Sequence, residues 1–327
     1  MIGVFDRALA ATLPLVPRPV VRRFADRYMA GETLEDAVTT VRRLNDRGVM
    51  GTVAVLGEFI RAPEEAEATA ATYEHVLDAI AAERLDANIS VKLSALGIDV
   101  DAKLADDLVA RVLAAAERHH IFVRIDMEDS GLTDRTLRIY RRLREAGHER
   151  VGVVLQACLR RTMDDVEALA GLTPNVRVVK GIYIEPEEIA YRDPAAINGN
   201  FVRAVDRLLA AGSYVAVATH DRPLIEEVLA VIERRLVSRE GYEFQMLLGV
   251  AEDVRHRLVA AGHRVRVYVP FGNAWYAYSV RSHGERQVGD QGLEALGDLV
   301  GELRGRRPPE SVDVGRRDLG HAGGEPR

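Results

Sequence analysis

The chain has 327 residues, 47% hydrophobic and 29% charged, with a formal net charge of −6 at pH 7. That length suits one large α/β domain or two small ones, and an acidic balance without a long basic block argues against nucleic acid as a partner. The single cysteine, Cys158, rules out an internal disulfide and fits a reducing, cytoplasmic setting.

Residues 1–33 read as a short helical arm. Its apolar run is broken by Pro14 and Pro17 and lacks a basic leader before a long apolar core, so neither a signal peptide nor a membrane span is expected. Val4, Leu9, Leu13 and Val20, with Arg18, Arg22 and Arg23, make the arm a candidate for peripheral contact with a membrane surface.

From residue 34 the pattern alternates. Helices are expected over 34–47, 64–83, 101–119, 134–146, 163–170, 194–211, 224–236 and 250–261. Short apolar runs at 51–56, 88–93, 121–125, 151–155, 176–179, 214–218, 244–247 and 265–269 read as strands buried on both faces. This alternation predicts an α/β fold, a (β/α)₈ TIM barrel. An open doubly wound sheet competes, but no GxGxxG follows the first strand and no GxxxxGK[ST] occurs anywhere. The expected division is an N-terminal helical arm over 1–47, a catalytic barrel over 48–304 and a disordered tail over 305–327, poor in apolar residues.

The stretch 264–286, RVRVYVPFGNAWYAYSVRSHGER, begins as a strand that Pro270 and Gly272 are expected to stop. A helix then carries Trp275, Tyr278, Arg281 and Glu285 along one face, where an ordinary amphipathic helix would carry Leu, Ile and Val. A helix turning such groups over a barrel mouth is built to hold something polar; a solvated helix with a chance charge pair is the plainer reading.

Residues at or just beyond the strand ends are Glu58, Lys92, Asp126, Gln156, Lys180, His220, Gln245 and Tyr268, with Glu128 nearby. In a barrel these meet on the C-terminal rim, where active sites form. The interiors of the strands read as Val, Ile, Leu and Ala. His119-His120 lacks a third ligand at metal spacing, so surface histidines are expected and no metal. Cys158 reads as a small buried residue rather than a nucleophile paired with His220. In the DMED run, Asp126–Asp129, strand alternation separates the carboxylates and disfavours a cation site. Lys92 or Lys180, if desolvated, could form a Schiff base, which keeps a lyase or aldolase as the competing function.

In chain order these stretches resemble the proline dehydrogenase family, in its monofunctional bacterial form. They are AVLGE at Glu58, ISVKLSALG at Lys92, VRIDME at Asp126, VLQACLRRT at Gln156, RVVKGIYIE at Lys180, VATHD at 217–221, YEFQMLLG at Gln245, YVPFG at 268–272 and the WYAYSVRSHGER helix. The resemblance runs from about Gly31 to Glu285. It implies a distorted barrel with its last helix over the mouth, and noncovalent FAD accepting a hydride from C5 of proline. It also implies a quinone or other electron acceptor. Flavin contacts would fall on Gln156, Arg177, Val179, Lys180, Gly181, Thr219, His220, Gln245 and Glu285. The substrate side would involve Lys92, Asp126, Leu247, Tyr268, Tyr278 and Arg281, with Glu58 pairing with Arg281. A guanidinium and an ammonium suit an amino-acid carboxylate.

Two substrate-side positions depart from the family pattern. Ser282 stands where Tyr-x-x-Arg-Arg-x-x-Glu has its second arginine, and Ile182 where Gly-Ala-Tyr has alanine. Losing one charged partner of a bound carboxylate costs about 1.5–3 kcal/mol. The departures point to a proline analogue or another cyclic or secondary amine as the alternative substrate. A relative that binds without turnover is a third reading.

Overall fold

The computed structural model describes residues 27–57 and 60–274. In chain order the main elements are α1 (Leu34–Asn45), β1 (Met50–Val55), α2 (Pro63–Ala82), β2 (Ala87–Val91), α3 (Ala102–Arg118), β3 (Val123–Ile125), α4 (Ser130–Glu145), β4 (Val151–Gln156) and α5 (Thr162–Leu169). They continue with β5 (Asn175–Val179), α6 (Pro194–Ala210), β6 (Tyr214–Ala218), α7 (Arg222–Arg234), β7 (Tyr242–Leu247), α8 (Glu252–Ala260) and β8 (Val265–Phe271). The strands pair in parallel in sequence order, and β8 returns to β1 to close the barrel. The expected barrel is therefore formed, and the open sheet is excluded.

Strand alternation divides the side chains into two shells. Ile89, Val91, Val123, Ile125, Val176, Val178, Val215, Val217, Phe244, Val265 and Val267 are all at most 2% exposed and belong to one core with the helices. Each such side chain contributes about 1.5–3 kcal/mol when fully buried. Ala37, Val41 and Leu44 of α1 are buried in the same core.

The other shell corrects the apolar interior expected from the sequence. Thr52, Asn88, Ser90, Arg124, Asp126, Arg177, Glu243, Gln245 and Arg266 are all buried polar residues. Several hydrogen-bond between strands that are not neighbours in the sheet, which requires them to cross the lumen. In these strands one residue in two is apolar and packs outward, while its neighbours furnish a polar interior. Gly152 is needed here because it pairs with Arg124 across β3 and β4. A Cβ at Gly152 would crowd the Arg124 guanidinium and lie 2.6 Å from the Asn175 carbonyl oxygen.

Local chemistry sets the helix starts. Asp101, Asp129, Asp193 and Asp221 cap α3, α4, α6 and α7, each accepting from backbone N–H groups of the first turn. Asp129 therefore starts α4 at Ser130 rather than at 134 as predicted, and in the DMED run it serves as a cap. Pro270 does not stop β8, which runs on to Phe271. The pairing of β7 with β8 ends at Leu247 and Tyr268, so the missing N–H of Pro270 opens no gap in that ladder.

Candidate active site

The C-terminal ends of the strands gather one connected polar cluster. Ser90 of β2 donates to Asp126 Oδ1 at 2.7 Å, and Arg177 of β5 pairs with the same oxygen. Arg177 Nε also donates to Gln245 Oε1 of β7 at 2.5 Å. From β8, the Tyr268 hydroxyl donates to Asp126 Oδ2 at 3.1 Å, and the Tyr268 ring lies 5.6 Å from the Arg177 guanidinium carbon. Four strands besides β3 thus converge on one carboxylate and its arginine.

Lys92, one residue past β2, stands in the field of this cluster. Burial alone would push its ammonium down, but Tyr268, Asp126 and Tyr183 outweigh that and hold it above the usual lysine range. A Schiff-base lysine needs a neutral amine near pH 7, so Lys92 is poised in the wrong direction for one.

The neighbouring loops add a second group. Lys180 Nζ pairs with Asp221 at 2.5 Å, both side chains being largely buried. Desolvation would raise the Asp221 carboxyl, but Lys180, the Leu224 N–H and Asn198 together hold it below the usual carboxylate range, and Asp221 also caps α7. The Leu247 N–H donates to His220 Nε2 at 2.8 Å, which assigns the imidazole proton to Nδ1. Thr219 is buried and its hydroxyl accepts from the Asp221 N–H at 3.2 Å. Gln156 is buried and donates to the Glu128 carbonyl at 2.9 Å. Glu128 accepts from Ser94 and is pushed up by burial.

Val179 ends β5 half-buried. Gly181 follows with φ at +107°, a backbone conformation that L side chains rarely adopt, and a Cβ there would strike Cys158 Sγ. Cys158 is free and buried, and burial pushes its thiol up to about 11, which suits a packed residue and not a nucleophile. Ile182 is 49% exposed. The expected site residues Glu58, Tyr278, Arg281, Ser282 and Glu285 lie outside the described residues, as does the helix expected over the mouth. No group of three or more potential metal ligands occurs among the described residues.

Ser90 and Asp221 belong to the site although neither was singled out from the sequence. The signal for Ser90 was its place two residues before Lys92, on the same face of β2. For Asp221 it was the Asp-x-Pro start of a helix directly after a strand end.

A closed parallel barrel with its polar groups gathered at the C-terminal ends of the strands is an enzyme of the (β/α)₈ class. A family model described as proline dehydrogenase matches residues 37–281. Proline dehydrogenase from Deinococcus radiodurans is 38% identical over 288 residues, covering 84% of this chain and 93% of that one. Proline dehydrogenase 1 of Bacillus subtilis subsp. natto is 37% identical over 262 residues, covering 80% and 86%. The crystal structure of proline utilization A from Bdellovibrio bacteriovorus, inactivated by N-propargylglycine, superposes with a TM-score of 0.77 at 25% identity. It is matched over 86% of this chain, which spans only 34% of that longer one. The chain belongs to the proline dehydrogenase family, whose members are FAD-dependent oxidoreductases of proline catabolism. It is an enzyme of that oxidoreductase type, taking a small amino-acid substrate and an electron acceptor, and a lyase is not favoured.

The lumen fits such a cofactor on an observation independent of that kinship. Arg177 Nη2 is buried without a hydrogen-bond partner among the described residues. A buried guanidinium N–H left unpaired costs about 1–3 kcal/mol, so a bound ring system bearing acceptor atoms would satisfy it.

Proposed function

We propose that the mouth of this barrel oxidises L-proline to 1-pyrroline-5-carboxylate. The observation that carries the reading is the cluster in which Asp126 accepts from Ser90, Arg177 and Tyr268 beside a charged Lys92. FAD, when bound, supplies the two-electron acceptor that lets the C5–N single bond of proline become a double bond. Arg177, Gln245, Gln156, Lys180 and His220 would hold it, with Val179, Gly181 and Thr219 supplying the closely approaching backbone and loop.

In this reading the Lys92 ammonium binds the proline carboxylate, with Arg281 as the second cation. Asp126 fixes Tyr268, whose ring walls one side of the substrate and excludes water. Leu247 packs on the aliphatic part of the ring. Tyr278 would close the other side and Glu58 would hold Arg281. Lys180, restrained by Asp221, would supply positive charge to the bound cofactor as it is reduced.

A second reading concerns substrate size and rests on Ile182. Its exposed side chain sits where the family has alanine, and Ser282 replaces a carboxylate partner, which together favour a proline analogue or another cyclic amine. A quinone acceptor at a membrane surface, reached through the N-terminal arm, extends the same reading. No described helix is long and apolar enough to cross a membrane.

The test is anaerobic bleaching of the yellow holoenzyme by L-proline and by a panel of cyclic amines. Bleaching by proline at low concentration supports the main reading, and bleaching only by an analogue moves the assignment to the second. A protein that stays colourless when offered FAD would refute both.

A further inference from the structure

We propose that the opposite, N-terminal end of the barrel binds a small polyvalent oxyanion, one bearing phosphate or carboxylate groups. A cavity of about 680 Å³ opens there, lined by the beginnings of β2, β3 and β5–β8 and by the ends of α2 and α3. That is the size range of metabolite pockets. This inference does not rest on the proline reading, whose residues lie at the other end.

The lining is cationic in a chain whose net charge is −6. Arg124 and Arg266 are buried at its floor, Arg264 forms a half-buried wall, and Arg84 and Arg118 stand exposed at the rim. The carboxylates of the lining are Asp86 and Glu243. Glu243 is engaged by Arg266 at 2.8 and 3.1 Å, with Tyr214 adding a third bond at 2.9 Å. Burial would raise the Glu243 carboxyl, but Arg266 holds it down at about 2, so this pair is internally settled.

Arg84, Arg118 and Arg264 form no ion pair among the described residues. Arg264 donates to the sulfur of Met50 at 3.7 Å, lies 5.8 Å from the Tyr214 ring and stands in the field of Glu240 without pairing with it. Arg124 spends its Nη atoms on the Val153 carbonyl and on Asn175, and its buried Nε has no partner. A barrel floor that served stability alone would pair its charges; this one leaves guanidinium groups in excess around a hollow.

The Asp86 carboxylate and two helix ends oppose the reading, against five arginines in the lining. The C-terminal ends of α2 and α3 each bring about half a negative charge. Their last carbonyls are already bonded, Leu85 N–H to Ile80 at 3.0 Å and Ile121 N–H to Ala116 at 2.9 Å. Arg84 and His120 adopt left-handed backbone (φ 52° and 58°) at these ends, but so does Leu236 after α7, so backbone strain decides nothing.

The experiment is calorimetric titration of the FAD-loaded enzyme with pyrophosphate and, separately, with citrate. Wild type is compared with Arg84→Gln, Arg264→Gln and the distant exposed control Arg138→Gln. Expected are binding of at least one probe tighter than about 1 mM and a tenfold or greater loss in Arg84→Gln and Arg264→Gln. Arg138→Gln should bind as wild type, and substrate turnover should be unchanged in every variant. Pyrophosphate alone binding assigns phosphate, and citrate alone assigns carboxylate. Binding of neither probe, or binding indifferent to both cavity substitutions, overturns the proposal. If Arg264→Gln fails to fold, Arg84→Gln on the exposed rim still decides it.

Discussion

Tyr268 lies on β8 and Asp126 directly after β3, strands that are not neighbours, yet the tyrosine hydroxyl reaches the carboxylate at 3.1 Å through the barrel lumen. The same carboxylate binds the Arg177 guanidinium, so aromatic wall, acid and buried cation form one unit. Tyr268→Phe should therefore leave the fold intact while loosening substrate placement. The expected change is a KM raised about tenfold with a smaller effect on kcat, the loss of about one hydrogen bond to a charged group. An unchanged KM would place Tyr268 outside the substrate site.

Asp126→Ala should be far more damaging, because it strands Arg177 in the lumen. Breaking one side of a buried pair costs about 3–5 kcal/mol. Urea unfolding should show that loss, with turnover falling below detection. Asp126→Asn keeps an oxygen for Ser90 and Arg177 and turns its amide N–H toward the Tyr268 hydroxyl, so it should recover part of the stability without the activity.

Lys92→Met should raise the KM for proline by about ten- to a hundredfold, as expected for one lost charged partner. The flavin spectrum should be unchanged. Because Tyr268 and Asp126 hold the Lys92 ammonium above its ordinary range, its charge persists through neutral and mildly alkaline pH. Substrate affinity should show no step from this lysine below about pH 10. Borohydride should trap no substrate on it, and a trapped adduct would restore the lyase reading.

Acid stability should report on Glu243. Its carboxyl lies at about 2 in the folded chain, below the ordinary glutamate value of about 4.5. A depressed carboxyl stabilises the fold above its unfolded value, and that stability is lost as pH falls from about 4.5 toward 2. Glu128, raised by burial, has the opposite sign and softens the slope. Glu243→Gln should cost on the order of 3 kcal/mol at neutral pH. It should also flatten the acid limb of the stability curve, and an unaltered limb would count against this assignment.

Gly152→Ala should destabilise the barrel by about 1–3 kcal/mol, because the added methyl group overpacks the space used by Arg124. Chemical denaturation would measure it, and a neutral result would mean that Arg124 can move aside.

The barrel was legible in the sequence because its strands are short apolar runs at regular spacing, and the strand-end residues Lys92, Asp126, Gln156, Lys180, His220 and Gln245 follow from that reading. The interior was not, because a run such as VRVV or VRI looks apolar as a whole while its arginine faces the lumen. Arg177 entered the expected site only through family resemblance, and Arg124 and Arg266 did not enter it at all. Asp129 was read only as one carboxylate of the DMED run, since its role depends on the N–H groups of a helix whose start was placed four residues late. Pro270 was taken for a stop because the pairing of β8 with β1 runs on to Phe271 while its pairing with β7 ends at Tyr268, which no local pattern reveals.

The two-shell alternation also acts as a lock on folding. Shifting any one of β3, β5, β7 or β8 by a single residue would turn Arg124, Arg177, Glu243 or Arg266 into the helix layer and their valine or phenylalanine neighbours into the polar lumen. Each such slip would bury an unpaired charge at a cost of several kcal/mol, so the residues that equip the lumen for chemistry also reject the misaligned barrels that an all-valine interior would tolerate.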